Sequence, residues 1–231
     1  MFRTRLARHL TFGTAVGLAA LAAPQHADAQ MLFDVNTRAN PTATQSGWTA
    51  VTLAGLPNVS FTAIGDVFLD DRNRGPVANS AAGSTVAEMW RDFIFADERQ
   101  GSIVGPAGMD ITISGLAANS LFSVSVWAFD FISVPQRSMT WNGVQYGFNG
   151  TDPLPNGLAE KRVTFTTMSN GAGSAVLQGR IGTDPGTCCN VFVNGFSVTV
   201  VPEPGSLALV VFGLTGLGVL ASRRRASRLQ S

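Results

Sequence analysis

The chain has 231 residues, 45% of them hydrophobic and only 13% charged, with a formal net charge of +1. Of its 16 Lys and Arg, three precede residue 10 and four follow residue 222, so nine face thirteen acidic residues between positions 30 and 200. A mildly acidic central segment with one lysine, Lys161, excludes nucleic acid and anionic lipid as partners, because both need clustered cations.

Arg3, Arg5 and Arg8 are followed by the apolar run from Leu10 to Ala23 and then by Ala27-Asp28-Ala29. A basic start, a 14-residue apolar stretch and a small-x-small step are the parts of a secretory signal peptide. Residues 1–29 are therefore expected to be removed before Gln30 by signal peptidase, and the chain to be exported.

Between residues 30 and 200 lies enough sequence for one domain with its own core. Strand-like runs occur at 32–35, 48–53, 59–64, 93–95, 109–113, 121–129, 137–141, 161–167, 174–177 and 191–200. Turn residues separate them, including Asn142-Gly143, Asn156-Gly157 and Asn170-Gly171. Leu121–Phe129 is apolar on both faces and reads as a central strand; Ser114–Ser120 joins it to the preceding run as a hairpin-like loop. One short helix fits 85–90. Many short strands and almost no helix predict an all-β, two-sheet, jelly-roll-like sandwich whose first and last strands pair near an edge.

Within this domain, Asp66, Asp70, Asp71 and Asn73 precede Gly75 and supply the hard oxygen atoms that calcium takes. The EF-hand pattern fails, since twelve positions counted from Asp71 end at Ala82. The same residues favour turns, with Arg72 and Arg74 to neutralise them, so the segment also reads as a solvated loop. Calcium is the one cofactor to consider. Four tryptophans stand out: Trp127 is expected in the core, Trp48 and Trp90 fit either core or surface, and Trp141, beside Asn142-Gly143, fits the core too but is the best of the four for an exposed sugar-stacking platform. Asp92, Asp97, Glu98 and Asp130 could supply a carboxylate pair for glycoside hydrolysis. His9 and His26 both precede residue 30, so a Ser-His-Asp triad and a histidine-ligated zinc are excluded from the domain. Cys188 and Cys189 are adjacent; they form either a strained vicinal disulfide or two reduced thiols.

The C-terminus combines Pro202-Glu203-Pro204, an apolar segment over 206–222 and the cluster Arg223-Arg224-Arg225. The prolines hold the chain extended, and the arginines would remain on the cytoplasmic side of a membrane crossed by the apolar segment. As a helix that segment is short for a hydrocarbon core of about 30 Å. This tripartite tail, residues 201–231, resembles the PEP-CTERM sorting signal of Gram-negative bacteria. The resemblance implies a membrane-anchored precursor processed by an exosortase, and delivery to the cell surface or extracellular matrix.

Leu32-Phe33-Asp34-Val35-Asn36, followed by Gly47-Trp48, is similar to the opening of galactose-binding-like sandwich modules, as is Ile111–Leu116 with Val126–Asp130 to their middle strands. Asn36 stands where those modules usually place Gly. This resemblance implies fold only. The leading expectation is a non-catalytic exported protein, structural or glycan-binding within exopolysaccharide; the alternatives are a secreted carbohydrate-active enzyme and a matrix filler without ligand. Exposed tryptophans beside Asp66–Asn73 would favour binding, full burial the filler, and a deep cleft with facing carboxylates the enzyme.

Overall fold

A computed structural model describes residues 30–98, 106–133, 136–182 and 190–202. Among these residues it contains thirteen strands and two short helices. In chain order they are β1 (Met31–Val35), β2 (Thr49–Val51), β3 (Val59–Ile64), β4 (Val67–Asn73), α1 (Pro76–Asn79), α2 (Ala87–Arg91), β5 (Asp92–Glu98), β6 (Gly108–Ser114) and β7 (Leu121–Trp127). Then follow β8 (Arg137–Trp141), β9 (Val144–Phe148), β10 (Arg162–Met168), β11 (Ser174–Ile181), β12 (Asn190–Val193) and β13 (Gly195–Val200).

The fold is an all-β, jelly-roll-like sandwich of two five-stranded sheets, ordered β10-β7-β13-β1-β2 and β3-β6-β11-β8-β9. Pairing is antiparallel except between β1 and β2. The first and last strands pair as expected, with Phe33 opposite Phe196 and their rings stacked 4.6 Å apart, one strand in from the sheet edge. Period-2 alternation decides what is buried. Phe122, Val124 and Val126 of β7 turn inward with Phe165, Phe196 and Val198, against Met109, Ile111, Ile113 and Leu177 of the facing sheet. Ser123, Ser125, Thr164 and Thr166 turn outward. Each such buried apolar side chain contributes about 1.5–3 kcal/mol relative to exposure.

Several expectations are corrected. Ser114–Ser120 is not a hairpin: it carries the chain from β6 in one sheet to β7 in the other, tied by the Leu116 amide to Gly173 O at 3.0 Å. Val67–Asn73 is not a loop but strand β4, in register with β5 from Val67 opposite Glu98 to Asn73 opposite Asp92. Charged residues are tolerated because β4 is an edge strand. The run 191–200 is two strands, not one. It breaks at Asn194 and leaves β13 in the first sheet and β12 in a third sheet, ordered β12-β5-β4. The Asn142-Gly143 turn, with φ of 47° and 80°, has the two positive angles of a type I′ hairpin and adds β9, which the sequence pattern had not suggested.

The third sheet positions the candidate site. Ile94 and Ala96 of β5, with Val191 and Val193 of β12, form one buried face. The other face carries Phe93, Phe95 and Phe192, joined by Phe68 and Arg72 from β4.

Candidate functional site

Phe93 and Phe95 lie two residues apart on β5, and Phe192 stands opposite Phe95 on β12, so their rings share one surface. Ring centroids are 5.9 Å apart for Phe93–Phe95, 5.3 Å for Phe93–Phe192 and 6.0 Å for Phe95–Phe192, with Phe148 edge-on to Phe192 at 5.4 Å. Three guanidinium groups lie over this aromatic floor. Arg72 sits 4.7 Å from the centroid of Phe95, Arg74 5.6 Å from that of Phe93, and Arg137 5.9 Å from that of Phe192. Each contact is worth about 0.5–2 kcal/mol depending on how far the cation is desolvated. Asp97, Asp130, Ser133 and Asn190 complete an open cleft of about 130 Å³.

The three cations differ in how they are balanced. Arg74 makes a two-pronged pair with Asp130, Nε to Oδ1 at 3.0 Å and Nη2 to Oδ2 at 3.1 Å, and Ser133 Oγ donates to the same carboxylate at 3.0 Å. Asp130 is thus committed to holding Arg74. Arg137 has no ion-pair or hydrogen-bond partner among the described residues, and its Nε is buried without an acceptor. Burial pulls its pKa down; the charges of Asp97 and Asp130 oppose that and the charge of Arg72 adds to it. Arginine remains protonated under any such shift. Arg72 is exposed and likewise free of an ion pair among the described residues. With Asp97 and Asp130 set against three arginines, the cleft carries one positive charge in excess. Two guanidinium groups without an acceptor among the described residues suit a carboxylate or similar planar anion, which arginine binds with two parallel hydrogen bonds; the rings behind them are at most 4% exposed, with Phe93 tilted to the other two.

The residues singled out from sequence lie elsewhere or serve other ends. Asp70 and Asp71 do not converge on a vacant centre. Arg38 Nη2 reaches Asp70 Oδ1 at 2.8 Å and Asp71 Oδ1 at 3.0 Å, and the Arg38 amide donates to Asp71 Oδ2 at 2.6 Å. The neutralising cation is therefore Arg38, not Arg72 or Arg74. Asn73 Oδ1 accepts from the Gly75 amide at 2.8 Å and closes a turn, while Asp66 lies in the β3–β4 connection. Among the described residues no three Asp, Glu, His or Cys side chains gather as metal ligands. Trp141 is fully buried, which settles its two readings in favour of the core, because its position on β8 turns it inward across Gly179. Trp90 is also fully buried, and Trp48 is half-buried against Trp127 at 5.4 Å. Trp127 is buried as expected, although on the outer face of its sheet, with Nε1 donating to Leu158 O at 2.9 Å. The tryptophan platform expected beside Asp66–Asn73 is therefore not formed.

Gln30 is exposed immediately before β1, and Pro202 is exposed just after Val201, whose amide makes a last bond to Leu121 O at 2.9 Å. Ala27 and Ala29, Cys188 and Cys189, and Glu203, Pro204 and Arg223–Arg225 lie outside the described residues. The apolar segment 206–222 lies there too; no helix among the described residues is long and apolar enough to cross a membrane. Sequence reasoning missed Arg72, Arg137 and Phe192. The available signal was the pair of period-2 motifs Arg72-x-Arg74 and Phe93-x-Phe95, which antiparallel pairing brings face to face.

No protein-family model matches the chain, and no curated protein matches it significantly. Solved structures with partial overlap include β-glucuronidase 2 of Bacteroides uniformis (11% identity, TM-score 0.42, covering 75% of this chain and 18% of that one). They also include the plant receptor-like kinase ANX2 (10% identity, TM-score 0.46, covering 75% and 48%) and a family 35 carbohydrate-binding module of Clostridium thermocellum (14% identity, TM-score 0.31, covering 61% and 90%). The chain spans under a fifth of the glucuronidase and about half of the receptor kinase.

Proposed function

We propose that this chain is an exported, non-catalytic β-sandwich that holds an acidic glycan in the cleft roofed by Arg72 and Arg137. The observation carrying the proposal is Arg137: a half-buried guanidinium over Phe192, its Nε buried without an acceptor and the group without a carboxylate partner among the described residues. A buried Nε–H without an acceptor costs stability, and a bound anion offsets that cost. The buried phenylalanine rings back the guanidinium groups and hold them in place, so the anion contact is the element of recognition. Asp130, locked onto Arg74 and Ser133, is not free to transfer protons or attack an anomeric carbon, so binding is favoured over hydrolysis.

Under this reading the ends of the chain are addresses. Signal peptidase removes residues 1–29, the segment 206–222 anchors the precursor in the inner membrane, and an exosortase acts on Pro202-Glu203-Pro204. The product is then held in extracellular polysaccharide at the surface of a Gram-negative cell. Intact mass of the protein recovered from the cell surface tests this half: the expected product begins at Gln30 and ends near Pro202–Pro204, and retention of Arg223–Arg225 would contradict it. The binding half is tested by presenting the purified chain with carboxylated and neutral oligosaccharides of matched length. Binding confined to the carboxylated set, and weakened by salt, is expected; equal binding to neutral chains, or none to either, overturns it.

A further inference from the structure

A second polar site lies where the outer face of the first sheet meets the junction of α2 and β5. Asp34, Asn36, Thr37 and Asp92 are each at most 4% exposed. Five of their side-chain oxygens (Asp34 Oδ1, Asn36 Oδ1, Thr37 Oγ1 and both oxygens of Asp92) are buried without a hydrogen-bond partner among the described residues. With both carboxyls ionised, four of the five can only accept. Buried polar atoms are nearly always satisfied, so five unsatisfied oxygens from four residues call for a partner of the opposite kind.

The surrounding bonds fix these atoms rather than satisfy them. Asp34 lies in β1 and Asn36 one residue beyond it, where the Asn36 amide continues the pairing with β2 by donating to Val51 O at 2.8 Å. The Gln45 amide donates to Asp34 Oδ2, and Asn36 Nδ2 donates to Thr44 Oγ1 and Pro41 O, both at 2.9 Å, which turns the remaining oxygen of each away from that loop. The Thr37 amide lies near enough to Asp92 to favour its ionised form without making a full hydrogen bond. Gly195, opposite Asp34 in register, is covered by Met89 of α2 and by Trp48, which close the site from outside.

Charge points the same way. Asp34, Asp92 and Glu88 act on one another here, and the nearby cation is Arg91, bound to Glu88 at 3.2 Å with its own Nε unpartnered. Arg38, the next cation along the chain, is taken up by Asp70 and Asp71, and Asp71 adds a further negative field at Asp92. With all three carboxyls ionised, one guanidinium leaves two negative charges over, which a bound cation would compensate. Burial, the largest influence on both, pushes the Asp34 and Asp92 carboxyls up to about 7.

We propose that Asp34, Asn36, Thr37 and Asp92 bind one divalent cation of the calcium class, linking β1 and its following loop to the α2–β5 junction. An all-oxygen set of two carboxylates, an amide and a hydroxyl suits a hard cation of flexible geometry, with water completing the shell, and does not suit zinc or copper. The site is distinct from Asp66, Asp70, Asp71 and Asn73.

The test uses the full chain in mild detergent, stripped with EDTA and then titrated with calcium chloride alone, following melting temperature and bound metal by elemental analysis. The expected result is about one calcium per chain, with melting raised by about 5–10 °C at a hundredfold excess over Kd. Asp92→Asn and Asp34→Asn should abolish the rise yet melt at or above wild type in EDTA, because each removes an uncompensated buried charge. Asp70→Asn/Asp71→Asn should retain the rise. Equal wild-type melting in EDTA and calcium, without bound metal, overturns the proposal. So does a loss in the Asp92→Asn variant that is as large in EDTA as in calcium, since that would mark a purely structural carboxylate. If neither variant folds, the wild-type metal content and melting shift decide alone.

Discussion

Asn194 is the point where one continuous apolar run becomes two strands in two sheets, and replacing it with Leu should be among the most damaging single changes in the chain. The residue is fully buried. Its Oδ1 accepts from the Phe129 amide at 2.7 Å, and its Nδ2 donates to Asp92 O at 3.0 Å and Trp90 O at 3.3 Å. Its own amide donates to Trp127 O at 2.8 Å, and its carbonyl accepts from the Val35 amide at 3.0 Å. Asn194→Leu keeps the two backbone bonds and deletes all three side-chain bonds. Trp90 O stays satisfied, because Asn79 Nδ2 also donates to it at 2.6 Å. The Phe129 amide is left buried and loses this acceptor, at about 1–3 kcal/mol, and each lost neutral bond removes about 1 kcal/mol more. With the two bonds to Asp92 O and Trp90 O, the total is about 3–5 kcal/mol, or roughly 6–20 °C in melting temperature for a domain of this size. Urea unfolding should show a lower midpoint with an unchanged slope. A loss below about 1 kcal/mol would refute the view that this side chain holds the sheet switch together.

Three further outcomes follow from the packing and charge described above. Arg137→Met keeps an apolar stem over Phe192 and trades the cation–ring contact against a half-buried cation unpaired among the described residues, so stability should stay within about 1 kcal/mol of wild type in chemical denaturation; a loss above about 3 kcal/mol would mean that the guanidinium has a strong internal partner. Gly179→Ala places a Cβ 2.7 Å from Val191 Cγ1 and 3.0 Å from Trp141 Cη2 in the core, and should cost about 1–3 kcal/mol by the same assay. The Asn149 amide and Lys161 hold the Asp152 carboxyl below the usual carboxylate range, so its contribution is complete above the ordinary value near 4 and fades as pH falls below it. Asp152→Asn should therefore flatten the acid side of the stability–pH curve and leave it unchanged in shape above pH 6.

The strands with clear alternation were legible in the sequence: 59–64 and 137–141 are the observed bounds of β3 and β8, and β6, β7 and β10 differ only at their ends. Strand β4 was hidden because Asp70, Asp71, Arg72 and Asn73 have the composition of a turn, and only pairing with β5 at a sheet edge makes them a strand. The split at Asn194 was hidden because Val191–Val193 and Phe196–Val198 are equally apolar, and a buried asparagine reveals its partners only in three dimensions. Trp141 stayed open between core and surface for a related reason: proximity to a turn does not say which face of a strand a side chain takes, and Gly179 on the neighbouring strand is what makes room for it. The cleft was legible only in fragments, since Arg137 and Phe192 reach it from sequence-distant strands. The paired carboxylates at Asp34 and Asp92, 58 positions apart, left no local pattern at all.

Calorimetric titration of a carboxylated oligosaccharide into the wild-type chain and into Arg137→Met tests the central claim most directly. Loss of a two-pronged, charge-assisted contact should weaken binding at least about tenfold in the variant, with its fold intact and a shallower salt dependence than wild type. Wild-type affinity retained in Arg137→Met, or the absence of any saturable heat in either protein, would contradict the assignment of this cleft as the binding site.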